Sequence, residues 1–395
     1  MKEGWTYKKL GDVGTFVRGG NFSKKDFIEG GFPCIHYGQI HMKFGVETFK
    51  HLSSVPDEMV KSDRCAHKGD LVIAITSEDD AGSCKCTAWM GDYDVYVGGH
   101  TAIYRHSMQP KFVSYYFMSP DFQKAKLDFT HGFKVVEISP KDIAKISIPV
   151  PSLSEQQKIV SRLDAAFAHI DALKENATKQ LSEAKALFQA SLKEMLEPKE
   201  GWEEDALINV FKFIDYRGAT PKKLQSGVPL VTAKNVKYGY IDYTIKDFIS
   251  QEEYETRKGR GISRKGDLLF TTEAPLGNVA IADLEEYSAG QRLITLQQYD
   301  NSKYEFINEF YYYYMLSSHF QNRIMELATG ATAQGIKAKL LKTIIVPIPT
   351  LAEQQSIVVT LDSLKSKVDR LQENFDKISQ ECDALKQAIL RQVFE

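Results

Sequence analysis

The feature that most limits what this chain can fold into is an internal duplication. The stretch IPVPSLSEQQKIV, Ile148 to Val160, returns as IPTLAEQQSIVVTLD, Ile348 to Asp362. Pro149, Pro151, Leu153 and Glu155 recur as Pro347, Pro349, Leu351 and Glu353, an offset of 198 residues. Gly4-Trp5 recurs as Gly201-Trp202 and Lys68-Gly69-Asp70 as Lys265-Gly266-Asp267, at an offset of 197. Solenoid repeats have periods of about 20–50 residues, so this period is a duplicated domain together with its connector. A chain built from two like halves is expected to do one thing at two places.

Each half has two textures. Residues 1–150 and 199–348 mix Gly-rich turns with short β-type runs, among them Leu71–Ile75, Asp94–Val97, Asp267–Phe270 and Asn278–Ile281, and a Tyr-rich helix is expected around Tyr311–Tyr314. Residues 151–198 and 349–395 are different, for no Gly or Pro falls in 152–197 or in 350–395. Each of those segments is predicted to be one long helix, entered from a Pro-x-Pro that holds the chain extended, with Ser152 or Ser154 as N-cap of the first. In the second, Ile357, Leu361, Leu364, Val368, Leu371, Phe375, Ile378, Cys382, Leu385 and Ile389 are spaced alternately by four and three, a heptad seam. The first is looser, with Ile159, Leu163, Ala166, Ile170, Leu173, Ala177, Leu181, Ala184 and Phe188. At about 1.5 Å per residue each helix spans on the order of 65 Å. A lone striped helix exposes its seam, so the two are expected to pair. The order globule, helix, globule, helix favours an antiparallel pair holding two mixed α/β domains apart, related by a pseudo-two-fold axis: an α+β chain. Such an arrangement is a ruler with a reader at each end, suited to two short sequences a fixed gap apart on duplex DNA.

The duplicated PxPxxxEQQ opening onto a coiled-coil helix, behind a globule that begins Gly-Trp, resembles the specificity subunits of type I restriction-modification systems, over the whole chain. Arg217–Val236, RGATPKKLQSGVPLVTAKNV, is similar to the opening of many of their recognition domains; the first half departs there, with RGGNFSKKDFIEGGFPCIHYGQI and no Thr-Pro. The resemblance implies target-recognition domains at 1–150 and 199–348 and connector helices at 151–198 and 349–395. It implies a bipartite, asymmetric DNA target, two docked modification (methyltransferase) subunits that methylate adenine, and restriction (motor-nuclease) subunits for ATP-dependent cleavage. It also implies a non-catalytic chain without a cofactor, S-adenosylmethionine, ATP and Mg belonging to the partner subunits.

The residues agree with a reader rather than a catalyst. There is no phosphate-binding G-x-x-x-x-G-K-[ST], no G-x-S-x-G, no H-E-x-x-H, no Ca loop and no adenine-methylation motif. Pro56–Lys61 has adjacent acids without a second acid-x-Lys unit. His36 and His41 lack a ligand partner at metal spacing, and Cys84-Lys85-Cys86 is too tight for a zinc knuckle. Five scattered cysteines suggest reduced thiols. The net charge of −2 places any DNA affinity in local patches. There is no apolar run of membrane-spanning length and no apolar signal core, so the expected location is cytoplasmic.

Base edges need bidentate Arg, Lys, Asn or Gln, and phosphates need cations and hydroxyls. The first half offers Arg18, Asn21, Lys24, Lys25, His36, Tyr37, Gln39, His41, Lys43, Ser77 and Lys134. The second offers Arg217, Thr220, Lys222, Lys234, Asn235, Lys237, Thr272, Gln291, Arg292, Thr332 and Gln334. Glu155, Gln156, Gln157 and Glu353, Gln354, Gln355 are candidates for partner docking, although acids there also suit a helix N-terminus. The rival reading is a coiled-coil scaffold, or an RNA-binding protein, without sequence-specific DNA recognition.

Overall fold

The computed structural model describes residues 4–132, 135–216, 220–330 and 334–395. Packing divides the chain into two units: residues up to Ala177 with Phe375–Glu395, and Thr178–Asn374. Four helices organise them: α1 (Pro110–Met118), α2 (Leu153–Met195), α3 (Asn308–Leu316) and α4 (Leu351–Phe394). The Gly-free, Pro-free segments are thus single helices of 43 and 44 residues, and each gives part of its length to either unit.

In the first unit the main sheet has the order Gly14–Arg18, Thr101–His106, Leu71–Ala74, Cys86–Trp89, Glu47–Thr48; only the last strand runs parallel to its neighbour. Leu71–Ala74 is buried on both faces, as its unbroken apolar run requires. A smaller sheet consists of Ser53–Val55, Phe32–Ile35, Val95–Val97 and Cys65–Ala66. The second unit repeats the frame: Phe211–Asp215, Leu293–Gln298, Leu268–Thr272 and Leu276–Ile281 in one sheet, Phe248–Ile249, Val228–Val231 and Ser288–Ala289 in another.

The repeat extends to single hydrogen bonds. Thr6–Lys9 pairs antiparallel with Ser147–Val150, and Glu203–Ala206 with Ile345–Ile348, so each Gly-Trp start is joined to the Pro-x-Pro that opens its long helix. Proline is tolerated there because each pair is a two-stranded edge. Tyr115 donates to Asp164 (2.6 Å), and Tyr313 donates to Asp362. Gln123 Nε2 donates to Phe117 O and Gln321 Nε2 to Met315 O, both at 2.6 Å. Every residue from Phe310 to Leu316 of α3 is buried. The helix can be apolar all round because its tyrosine hydroxyls find acceptors, Tyr311 on Pro347 O and Tyr312 on Gly239 O.

The helix segments pair antiparallel within each unit. In the first, Asp171 meets Lys386 (2.5 Å) and Lys174 meets Asp383 (3.3 Å), numbers rising on α2 as they fall on α4. In the second, Lys185 reaches Gln372 (2.8 Å), while Leu192 and Leu196 share a core with Ile357 and Leu361. The seam departs from expectation at Leu173 and Leu385, which are 58% and 49% exposed. Where only two helices meet, the flanks of the stripe stay open to water. Near its ends α4 turns its buried face to globular cores instead, through Ile357, Val358 and Leu361, and through Leu390 and Phe394.

Candidate nucleic-acid interface

In the first unit three loops and a strand end converge. Arg18 closes its strand, exposed, with a guanidinium nitrogen 3.0 Å from Glu137. Asn21 is exposed beyond it, and Lys24 and Lys25 stand exposed on a short turn capped by Ser23. The next loop is the short helix Tyr37–Met42. Tyr37 packs its ring on His36 and His100 at centroid distances of 4.5 and 5.2 Å. A ring nitrogen of His41 lies 3.2 Å from Thr76 O, and Lys43 is exposed at the C-cap. Ser77 pairs with Val136. Lys24, Tyr37, His41 and Ser77 line one groove, together with Lys85 and His100. Its volume, about 1690 Å³, exceeds the roughly 300–1,000 Å³ of small-molecule sites. Lys134 lies outside the described residues.

In the second unit Thr220 donates to Gln291 Oε1 (2.6 Å), and the exposed Arg292 pairs with Glu273 (3.0 Å). Gly335 bridges to Glu273, which places the exposed Gln334 beside that pair. Lys222 and Lys234 are exposed, and Lys237 is half-buried 4.0 Å from Asp242. Arg217 and Thr332 lie outside the described residues.

Several candidates are withdrawn from the reading surface because their polar atoms are occupied internally. Asn235 is 2% exposed. Its Oδ1 accepts from Thr232 N and Oγ1, and its Nδ2 donates to Asp242 O and Ile245 O. Thr272 is 2% exposed and donates to Arg292 O. Gln39 and His36 form a reciprocal cap: Gln39 Oε1 accepts from His36 N (3.0 Å), and His36 Nδ1 accepts from Gly38 N (3.2 Å). Burial, then the Lys24 ammonium and His100, hold His36 below its ordinary pKa, so it stays a neutral acceptor. These are loop-builders. A polar residue just after a β-type run is the signature of either role, and a sequence does not separate them.

The docking candidates divide in the same way. Gln156 and Gln354 are 2% and 0% exposed. Gln156 Oε1 accepts from Gln109 N at the entry to α1, and Gln354 Oε1 accepts from Ile307 N at the entry to α3; each donates to a proline carbonyl, Pro151 O and Pro349 O. They fasten the long helices to the globular cores and offer nothing to a partner. Glu353 forms the capping box of α4 with Thr350 and accepts from Trp202, bonds that hold its carboxyl below the usual range. Ser152 caps α2, its Oγ accepting from Glu155 N (3.3 Å). Glu155 is half-buried, and Gln157 and Gln355 are exposed.

Sequence reasoning missed His100. Gly98 N bonds Ile35 O as Gly290 N bonds Val231 O, so Gly99 stands where Gln291 stands and His100 where Arg292 stands. The offset here is 192, not 198, and that shift hid the match. The available signal was a Gly followed two residues later by a nitrogen-bearing side chain, His100 or Arg292, just after a buried strand, in both halves.

A duplicated α+β frame that presents unlike polar loops from equivalent positions defines a two-part recognition protein. Comparison with known proteins agrees. The family model for the type I restriction modification DNA specificity domain matches twice, at residues 2–183 and 199–380. The chain is 24% identical to the type I restriction enzyme EcoKI specificity subunit of Escherichia coli K12, over 100% of this chain and 89% of that one. Its fold is that of a chain from a type I R-M system solved for complex assembly and conformational transition (TM-score 0.76, 20% identity, 100% and 98% of the two chains covered). It also matches the HsdS subunit from Thermoanaerobacter tengcongensis (TM-score 0.56, 19% identity, 100% and 97% covered). The chain belongs to the type I restriction modification DNA specificity family, and it is a recognition component rather than a catalytic one. Among the described residues no helix is long and apolar enough to cross a membrane.

Proposed function

We propose that this chain recognises a bipartite, asymmetric DNA sequence, residues 1–150 reading one half and residues 199–348 the other. The connectors 151–198 and 349–395 set the spacer and dock two modification subunits for adenine methylation; restriction subunits joined to that complex cleave DNA with ATP. One observation carries the reading: equivalent positions on equivalent frames hold different side chains. His100 stands for Arg292, Gly99 for Gln291 and Thr76 for Glu273. Like frames with unlike edges suit two different half-sites. Among the named residues, those exposed or half-buried in the loops remain the reading set, Gln39 excepted because its amide is occupied within its own loop, with Gln157 and Gln355 left as exposed docking candidates.

The test is co-expression with an adenine-methylating partner, followed by mapping of methylated adenines. The expected product is one motif of two dissimilar specified blocks separated by unspecified bases. Methylation without a specified sequence, or retention of RNA in place of duplex DNA, would support the scaffold or RNA-binding reading instead.

A further inference from the structure

One connection in the main sheet is longer in the first unit than in the second. In the first unit Ile73 pairs with Cys86, and in the second Phe270 pairs with Val279. The connections run over residues 74–85 and 271–278, twelve against eight. Counting back from those pairs, Cys84 stands where Gly277 stands, and both have left-handed backbones, φ 61° and 87°. The longer connection contains Thr76 to Ser83, and Ser77, Glu78, Asp79 and Gly82 of it line the groove with Lys24, Tyr37, His41 and His100.

The residue beneath this loop has also changed. The shared Ser-capped helices align Lys126 with Ile324. In the second unit Ile324 packs on the short loop so closely that a Cβ added at Gly277 would fall 2.7 Å from its Cδ1. In the first unit Cys84 has its Cβ, and the underlying residue is an unbranched lysine, 1% exposed. Lys126 Nζ donates to Ser83 O at 2.6 Å. Ser83, itself fully buried, donates through Oγ to Asp80 O (2.8 Å), and Asp79 Oδ1 accepts from Gly82 N (2.7 Å). An ammonium taken out of water is costly unless it organises the polar groups around it. The charged and titratable groups facing it are Cys84, Asp80, Asp79 and Cys86. Burial dominates them and holds its pKa below the ordinary lysine value.

We propose that Lys126 is a positioning residue that fixes the loop Thr76–Ser83 of the first unit and through it the base preference at the half-site this unit reads. The second unit has no counterpart, its shorter loop resting on Ile324. The inference rests on the two-reader function proposed above. The loop's own acids would accept from cytosine or adenine amino groups in the major groove, where a shift of the loop misplaces them.

The experiment compares the full chain, co-expressed with its modification partner, as wild type, Lys126→Met, Lys126→Arg and a loop variant lacking residues 77–80, with methylated adenines mapped for each. Lys126→Met is expected to lower discrimination at one to three base pairs of a single half-site by about tenfold or more, the other half-site being unchanged. Lys126→Arg, which keeps a cation at Ser83 O, restores it. The shortened loop alters the same base pairs, and if Lys126→Met does not fold, a shortened loop with an unchanged motif overturns the inference. An unchanged motif in Lys126→Met, or a shortened loop that alters other positions, overturns the inference while leaving the two-reader function intact. A wild-type motif that is not bipartite overturns both.

Discussion

At the scale of single residues, polarity in a loop has two uses here, and geometry separates them. Asn235 is buried and its neighbour Lys234 exposed, and the proposed function gives them opposite roles. Asn235→Ala removes both acceptor and donor from a buried loop knot. Stranding those backbone groups should cost about 1–3 kcal/mol, seen as a lower denaturation midpoint. Lys234→Ala, at an exposed position, should leave that midpoint within about 0.5 kcal/mol while weakening DNA binding and flattening its salt dependence. Equal stability losses in the two variants would contradict the assignment. His36 supplies a pH test. Its folded pKa is depressed by burial first, so its contribution is complete above an unfolded value of about 6.5 and is lost as pH falls from there through the folded pKa. Protonation also removes the Nδ1 acceptor that caps Tyr37–Met42. Wild-type stability and affinity for the first half-site should both fall below about pH 6.5, and His36→Asn should blunt the fall; a His36→Asn profile that superimposes on wild type would refute the role.

At the scale of elements, the sequence was most readable where one physical requirement acts along a whole segment. Absence of Gly and Pro with a seam of apolar residues leaves a long helix as the one outcome, and the two segments are single helices, Leu153–Met195 and Leu351–Phe394. The frame was readable where Gly14–Arg18, Leu71–Ala74 and the segment from α1 onward hold the 197–198 offset. The reading edges were not. Four extra residues at 74–85 bring the offset down from 197 to 193, and Tyr299–Ile307, nine residues where the first half has three, brings it from 192 back to 198. Loops tolerate such changes because their backbone is solvated, so pairing His100 with Arg292 needed the sheet registers. Seam position alone was likewise no guide to burial. Leu361 is fully buried in the second unit's core and Leu173 is 58% exposed. Leu361→Ala should cost about 2–5 kcal/mol, whereas Leu173→Ala should change stability by less than about 0.5 kcal/mol. Chemical denaturation measures both, and equal costs would mean that the seam, rather than the globular core, anchors α4.

At the scale of the molecule, duplication gives one non-catalytic chain two like frames with unlike loops, the arrangement that the proposed asymmetric target requires. Each frame is stabilised by its own core, each long helix is fastened by a buried glutamine, and the two loop sets differ while these features are kept in both units. The two modules should therefore be separable, and exchanging one of them is the decisive experiment. Residues 1–150 would be replaced by the first recognition domain of a relative with a different target, and the methylated motif mapped in cells. One specified block should change while the other block keeps its sequence. A motif in which both blocks change, or neither, would contradict it.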